Sequence, residues 1–213
     1  DFCLSRGLGD VYKRQIIEDM REQGFLVKQE DTKQNVGCCW RCHAPIEFLK
    51  VPQWFLRTTD YKDEVLRLAD ELDWYPEFMK VRLLDWVNSL QWDWVISRQR
   101  FFATPIPVWE CEDCGYIVPA REEDAYVDPT VDKPPVDRCP LCGGKLIGCT
   151  DVFDTWMDSS ISPLYNTFWY RDEELFKKLY PMSMRPQSHD IIRTWAFYTL
   201  LRCYLMTGER PWN

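Results

Sequence analysis

The sequence lacks any long apolar run and any excess of positive charge. No stretch approaches the ~20 apolar residues that a membrane-spanning helix needs, and no apolar core follows a basic start as in a secretory signal peptide. Its 26 Lys and Arg stand against 34 Asp and Glu, a formal net charge of −8. Bulk charge therefore gives no reason to expect nucleic-acid binding, although a local basic surface is compatible with it.

The composition is that of an ordinary folded protein with unusual cysteine usage. Of the 213 residues, 46% are hydrophobic and 28% are charged, which argues against disorder. Six of the ten cysteines fall into three Cys-x-x-Cys pairs. This spacing is typical of metal ligands in a reducing compartment, so we expect a cytoplasmic protein that does not cross a membrane.

Residues 1–15 look foreign to the rest of the chain. Asp10–Gln15 can be encoded by GATGTGTATAAGAGACAG, which resembles the transposase mosaic end used in sequencing-library adapters. We therefore predict that residues 1–15 are derived from an adapter and that natural sequence begins near Ile16. The alternative is a genuine but irregular N-terminal tail.

The spacing of apolar residues predicts an α/β fold. Ile16–Gly24 is expected to be the end of a helix that Gly24 stops. Helices are also expected over three further stretches: Tyr61–Leu72, Pro76–Leu90 and His189–Met206. In the second of these, Val81 and Val87 are expected to face inward. Short strands are expected at Ile106–Trp109 and Met182–Arg185. Only Glu209–Asn213 follows the last helix, so we expect an α/β domain that is truncated there.

Two cysteine knuckles of near-identical sequence predict a metal site. Cys111–Gly115 reads Cys-Glu-Asp-Cys-Gly, and Cys139–Gly143 reads Cys-Pro-Leu-Cys-Gly. Each puts two thiolates on one tight turn, and the glycine after each knuckle can take a positive φ. Together they offer four sulfurs to one tetrahedral Zn²⁺ in a zinc ribbon. The predicted ligands are Cys111, Cys114, Cys139 and Cys142.

The third pair, Cys39 and Cys42, has no partner pair left in the chain. We interpret it as half of a metal site whose other two cysteines lie upstream. A local site completed by Cys38 or His43 is disfavoured, because ligands at adjacent positions rarely converge on one ion. A redox role is the competing function, but no thioredoxin-like context surrounds the pair.

Four collinear motifs resemble one enzyme family. Trp94–Arg100, followed by Pro105–Trp109, resembles the Ile-Ser-Arg-Gln…Ile-Pro segment of class I valyl-, isoleucyl- and leucyl-tRNA synthetases. Asp151–Ser160 resembles their Asp-x-x-x-Asp-Thr-Trp segment. Arg185–Phe197 resembles a helix of the archaeal-type valyl-tRNA synthetases in particular. Cys39–Cys42 also sits where this family places a knuckle just after its editing domain.

This resemblance runs from about Ile16 to Asn213 and implies the organisation of the chain. It implies part of a Rossmann catalytic domain that carries an inserted zinc ribbon and is truncated at both ends. Four segments are expected: a connective segment after the editing domain (16–92), a return to the catalytic core (93–110), the zinc ribbon (111–149), and part of the second Rossmann half with the amino-acid pocket (150–213).

The resemblance also implies an activity. The intact enzyme would activate valine with ATP and Mg²⁺ to valyl-adenylate and transfer it to tRNA(Val). It is expected to be a cytoplasmic monomer. Such a site works by positioning and charge stabilisation. The sequence contains neither of the family's triphosphate-binding motifs, His-x-Gly-His and Lys-Met-Ser-Lys-Ser. We therefore expect no catalytic residue in this chain and no activity from it alone.

Amino-acid recognition is the part of the site that the resemblance leaves to this chain. Trp156, Ile191 and Trp195 match the positions that wall the valine side chain, and Asp190 is placed to take the substrate ammonium. Each could instead be structural, Trp195 as core and Asp190 as a helix cap. Two further residues are candidates for contacting the adenylate, with a structural role open for the histidine: Gln187 and His189.

Two other readings stay open on sequence grounds. The first is an isoleucyl-tRNA synthetase fragment, against which Ile191, Trp195 and the Arg193–Phe197 string favour valine. The second is a free-standing zinc-ribbon module that binds nucleic acid. Arg98 and Arg100 could contact tRNA or could brace the ribbon.

Overall fold

The computed structural model describes residues 3–30, 33, 35–46 and 50–213. The chain forms two compact units that divide between Val51 and Pro52. Residues 1 and 2 of the predicted adapter segment lie outside the described part. The prediction that residues 1–15 are adapter-derived therefore stays a prediction.

The first unit contains one long helix and a cysteine knuckle. Helix α1 spans Cys3–Glu22, and Gly24, which was predicted to stop the helix, follows two residues later with φ +74°. Glycine reaches this left-handed conformation without the Cβ clash that other residues meet. An isolated antiparallel bridge between Cys38 and Pro45 closes the knuckle that lies between them.

Helices build the core of the second unit. Helix α2 is Lys62–Glu71 and α3 is Lys80–Ser89, and the last helix, α7, is Phe197–Thr207. Their apolar faces meet in one cluster of buried side chains: Val65, Ala69, Leu72, Leu83, Val87, Ile192, Phe197, Leu200, Leu201 and Trp212.

The prediction for the second helix was partly wrong. Residues Glu77–Met79 form a 3₁₀ turn, and the α-helix begins only at Lys80. Leu83 and Val87, which are four residues apart, face the core, whereas Val81 is 52% exposed. A helix buries one stripe at i and i+4 spacing, so Val81 falls outside that stripe.

The strands of the second unit form three small antiparallel sheets. In the first, β1 (Phe55–Leu56) pairs with β2 (Trp94–Val95). In the second, β3 (Ser97–Arg98) pairs with β7 (Val152–Phe153). The third has the order β5-β4-β6, from Ile117–Pro119, Val108–Cys111 and Leu146–Gly148. The strand predicted at Ile106–Trp109 thus begins two residues later.

The end of the chain makes the one parallel pairing among the described residues. Met182 bridges Trp212 in parallel. The Met182 N–H donates to the Pro211 carbonyl at 2.9 Å, and the Asn213 N–H donates to the Met182 carbonyl at 2.9 Å. The strand predicted at Met182–Arg185 is therefore a single bridge residue, Met182. The last helix lies between Met182 and its partner Trp212 in the chain.

Three short helices precede that crossover: α4 (Thr155–Ser160), α5 (Ser162–Asn166) and α6 (Glu173–Leu179). Pro163 stands in the first turn of α5, where a missing N–H costs no hydrogen bond. Across the described ranges, the helices are too short or too polar for a membrane span.

Candidate metal centre and amino-acid pocket

The two ribbon knuckles bring four thiols together. The sulfur atoms of Cys111, Cys114, Cys139 and Cys142 all lie within 4.8 Å of one another. The Cys111–Cys142 and Cys114–Cys139 sulfurs are 3.4 and 3.6 Å apart. Four sulfurs at ~2.3 Å from one tetrahedral Zn²⁺ would be separated by about 3.8 Å. The cluster therefore has the donor set and nearly the spacing of a tetrahedral metal site.

The close packing of these thiols shifts their pKa values. Burial opposes ionisation of Cys139, but the N–H groups of Cys142 and Leu141 and the neighbouring thiols lower its pKa to about 7. For Cys142 the Gly144 N–H lowers the pKa, yet the thiols of Cys114 and Cys111 outweigh it and raise the pKa to about 12. Thiolates this close repel one another, and a bound cation would remove that repulsion.

Glycines allow the ribbon to close around the thiols. A Cβ added to Gly144 would lie 2.8 Å from the Cys111 sulfur, and one added to Gly148 would lie 1.8 Å from the Pro129 carbonyl oxygen. Real Cβ atoms do not approach other atoms so closely. Both positions therefore require glycine because of space rather than because of φ.

The third knuckle has the same backbone pattern as the two in the ribbon. In each, the fourth residue after the first cysteine donates its N–H to that cysteine's carbonyl at 2.9 Å, from His43, Gly115 and Gly143 respectively. Each first cysteine donates in turn to a carbonyl five residues on, at 2.8 or 2.9 Å. All three residues after the knuckle take positive φ. Cys39–Cys42 thus shares the backbone geometry of the other two knuckles, with a histidine where they have glycine.

Hydrogen bonds that lower the pKa of Cys39 support the interpretation of this pair as metal ligands. The N–H groups of Cys42 and Arg41 contribute most, followed by the Cys42 thiol. Backbone N–H groups directed at a thiol favour the thiolate, which is the form that binds a metal.

The predicted last helix starts irregularly, at the predicted pocket. His189–Ile191 is a 3₁₀ turn and Ile192–Ala196 a π-helical turn, in which the Phe197 N–H donates to the Ile192 carbonyl. Ile191 and Trp195 are four residues apart and would share one face of a regular α-helix, but the 3₁₀ and π turns break that spacing. Single π turns within helices occur frequently at functional sites.

A hydrogen bond ties this irregular turn to α4. The Trp195 indole Nε1 donates to the Ser159 carbonyl at 3.0 Å. Ser159 and Trp156 both lie in α4. Trp156, Ile191 and Trp195 are all half-buried. The two segments that carry the predicted pocket walls are therefore in contact.

Asp154 fixes the start of α4. Its buried carboxylate caps the helix by accepting from the Trp156 N–H at 3.3 Å. It also accepts from the Trp94 indole at 3.1 Å and from the Arg98 guanidinium at 2.5 Å. Arg98 donates further to the carbonyls of Val95 and Ser97. Its guanidinium is thus engaged in holding α4, while Arg100 is exposed.

A cavity of about 720 Å³ lies beside the pocket turn. Gln187 and His189 line it. Both polar atoms of the Gln187 side-chain amide are buried and have no hydrogen-bond partner among the residues that the structure describes. Asp190 is exposed and pairs with His189 at 2.9 Å. Ser188, and not Asp190, occupies the cap position of this turn. The predicted valine contacts do not line this cavity.

A family comparison identifies the chain. Residues 13–213 match the model of the family described as tRNA synthetases class I (I, L, M and V). The chain belongs to the class I tRNA synthetases. Its first motif, Trp94–Arg100, thereby supplies β2 and β3, and its second, Asp151–Ser160, supplies β7 and α4.

Three similar relatives are valine–tRNA ligases of archaea. The chain is 54% identical over 202 residues to the valine–tRNA ligase of Methanocaldococcus jannaschii, covering 94% of this chain and 23% of that enzyme. It is 52% identical to the valine–tRNA ligase of Methanococcus maripaludis, covering 96% and 23%. It is 51% identical to that of Pyrococcus horikoshii, covering 94% and 24%. The chain thus spans about a quarter of these relatives, and they do not favour the isoleucine or free-standing ribbon alternatives.

One solved synthetase structure shares a weaker likeness. It is the ternary complex of Agrobacterium radiobacter K84 agnB2 LeuRS with tRNA and LeuAMS, with a TM-score of 0.43 and 23% identity. The match covers 57% of this chain and 19% of that one.

No role was predicted from the sequence for several residues beside the predicted site. Trp74, Tyr75 and Trp212 line the cavity, and Arg185 stacks on Trp195. The Trp-Tyr-Pro run between two predicted helices was the available signal for the first two. Arg185 stood at the start of the Arg185–Phe197 motif, but nothing in that motif marked it as a contact of Trp195.

Proposed function

We propose that the chain supplies the amino-acid recognition part of a valine–tRNA ligase. Such an enzyme joins valine to ATP to form valyl-adenylate and then transfers valine to tRNA(Val). The observation that carries the proposal is the Trp195–Ser159 hydrogen bond, because it holds Trp195 against the helix that carries Trp156. Valine, ATP with Mg²⁺ and tRNA(Val) are its substrates, and a cytoplasmic monomer is its expected form.

Trp156, Ile191 and Trp195 wall a pocket for a branched aliphatic side chain. Tryptophan rings are large and have few rotatable bonds, so they resist displacement by an oversized substrate. An added methylene is then excluded by overpacking, at about 1–3 kcal/mol. Threonine is nearly isosteric with valine and enters, so the family needs editing; valyl-tRNA synthetase is an established example of this point.

Polar groups beside the walls bind the rest of the substrate. Asp190 takes the valine ammonium, since its carboxylate is exposed and does not cap the helix. Gln187 and His189 contact the adenylate. The buried amide of Gln187 has no partner in the described part of the chain, which supports this assignment, because such a group gains a hydrogen bond when a ligand arrives.

The surrounding fold is part of the second half of a Rossmann domain. The parallel bridge between Met182 and Trp212, with α7 crossing between them, has the connectivity of a β–α–β unit. Residues 16–92 connect it to the editing domain, 93–110 return to the core, 111–149 form a zinc ribbon, and 150–213 hold the pocket.

Zn²⁺ is the metal that the cysteines hold. Four thiolates with tetrahedral spacing suit Zn²⁺ in a closed structural site, where it contributes to folding and not to catalysis. Cys39 and Cys42 are half of a second site completed by cysteines upstream of this chain.

The pocket assignment is tested by enlarging the pocket in a full-length valine–tRNA ligase that contains this sequence. Trp195→Ala and Ile191→Ala should lower valine activation and relax the exclusion of isoleucine, because the cavity fits the longer chain while valine loses contacts. The threonine-to-valine ratio should change much less, since these walls do not read the hydroxyl. The measurement is adenylate formation with all three amino acids. Unchanged isoleucine discrimination with reduced stability would make both residues plain core.

The chain by itself should be inert. It lacks both triphosphate-binding motifs of the family, so the positioning that drives activation is missing. Valine-dependent pyrophosphate exchange by the purified chain should stay at background. Robust exchange would overturn the division of labour proposed here.

A further inference from the structure

Arg185 is a partly buried cation whose main neighbours are aromatic rings. Its guanidinium carbon lies 4.0 Å from the centroid of the Trp195 ring and 5.6 Å from that of Trp212. Its Nη2 donates to the Ser162 hydroxyl at 2.7 Å. At 4.0 Å from a ring centroid a guanidinium is in cation–π contact.

No carboxylate balances this charge among the ion pairs of the described residues. Burial lowers the pKa of Arg185, and its Nε has no hydrogen-bond partner within the described ranges. A desolvated cation without an acid is unfavourable unless other groups stabilise it. Here two ring faces and one hydroxyl do so, and Trp195 is the nearer of the two rings.

We propose that Arg185 is a positioning residue that fixes the plane of the Trp195 ring and thereby sets the discrimination between valine and isoleucine. This rests on the proposed function, in which Trp195 walls the valine pocket. The Ser159 hydrogen bond holds only the edge of the indole. The ring could still tilt about that bond, and a guanidinium stacked on its face prevents the tilt.

The frame around Arg185 is suited to this task. Trp212, the second ring that Arg185 contacts, belongs to the parallel bridge with Met182. Ser162, which accepts the hydrogen bond from Arg185, stands in the first turn of α5. Arg185 also lines the cavity that contains Gln187 and His189. It therefore links the predicted adenylate contacts to the predicted valine wall. A lysine could supply the charge but not the planar face.

The test uses a full-length valine–tRNA ligase that contains this sequence, with adenylate formation measured for valine and isoleucine. Arg185→Met keeps an unbranched side chain of similar length but removes the positive charge and the planar guanidinium. We expect the ratio of kcat/KM for valine over isoleucine to fall roughly 3- to 10-fold, the range that a partly desolvated cation–π contact supports. Arg185→Lys should restore part of the ratio.

Arg67→Met is the matched control. The Arg67 guanidinium lies 5.7 Å from the Tyr204 ring and pairs with Glu71 on the surface of α2, so its loss should leave the ratio unchanged. A purely structural role of Arg185 would lower the melting temperature and both kcat/KM values together, without moving their ratio. That outcome, or full retention of the ratio in Arg185→Met, would overturn the inference.

The proposed function and this inference can fail separately. If Trp195→Ala leaves the ratio unchanged, the pocket assignment fails and this inference fails with it. If Trp195→Ala lowers the ratio but Arg185→Met does not, only the positioning role of Arg185 is wrong.

Discussion

The proposed zinc ribbon and the proposed amino-acid pocket differ in the range of the contacts that shape them. In the ribbon, each knuckle places two thiols through hydrogen bonds that span at most five residues, and the whole site lies within Cys111–Cys142. At the pocket, Trp195 depends on Ser159, 36 residues away, and Asp154 depends on Trp94, 60 residues away. A local site can be recognised from spacing, whereas a site assembled at long range depends on packing throughout the unit.

The largest expected effect is loss of the metal from the ribbon. Cys139→Ser should abolish tight zinc binding by the chain, because binding and ribbon folding are linked and structural zinc contributes about 10–16 kcal/mol in small domains. Metal analysis of the monomeric protein should give one tight zinc before the change and none after it.

The control for this experiment is the half-site. Cys42→Ser should leave the tight zinc in place, since Cys39 and Cys42 bind weakly without two further ligands. Two tight zincs per monomer in the unaltered chain would contradict the half-site interpretation, and none would contradict the ribbon.

The next effect tests the long-range assembly of the pocket. Asp154→Ala should destabilise the protein by about 2–4 kcal/mol, because Arg98 and the Trp94 indole lose a buried partner and α4 loses its cap. Denaturant unfolding measures this loss. Asp128→Ala is the control, since Asp128 caps only the exposed Thr130 turn and its removal should cost well under half as much. Equal costs would mean that Asp154 does not hold the pocket together.

A smaller effect tests how tightly the ribbon closes. Gly144→Ala would place a Cβ 2.8 Å from the Cys111 sulfur, so the ribbon must shift, at about 1–3 kcal/mol. Weaker zinc retention in a chelator competition should report this shift. Gly37→Ala is the control, because its added Cβ would meet only Ile46 at 3.9 Å. If both variants retain zinc equally, the close approach is not required.

The smallest expected effect is on stability, when histidine and glycine are exchanged at the positive-φ position that follows a knuckle. His43→Gly should stabilise the first unit slightly, by about 1 kcal/mol or less, since His43 holds φ +57° where glycine meets no Cβ strain. Gly115→His is the reverse change, at φ +69°, and should destabilise the ribbon by a similar amount. Thermal unfolding of both variants measures the pair. A marked loss of stability in His43→Gly would show that the imidazole itself does structural work.

Structure that depends on local interactions was predicted from the sequence better than structure that depends on distant ones. Helix α2 was predicted nearly to the residue, because Val65, Leu68 and Ala69 repeat at helical spacing and are all buried. For α3 the existence was right but the inward face was wrong at Val81, since the 3₁₀ turn before Lys80 cannot be read from apolar spacing. The irregular start of the last helix was missed for the same reason.

By itself, the sequence determined the four cysteines of the cluster, the turns of the two knuckles that carry them and the motifs of the class I synthetases, because each motif is a set of residue types at short, fixed spacing. The tertiary structure alone decided the rest. It paired Arg98 with Asp154, stacked Arg185 on Trp195 and brought α4 against the π-helical turn. These contacts join residues far apart in the chain, and no local pattern encodes them, since a charged or aromatic side chain finds its partner only when the core has packed.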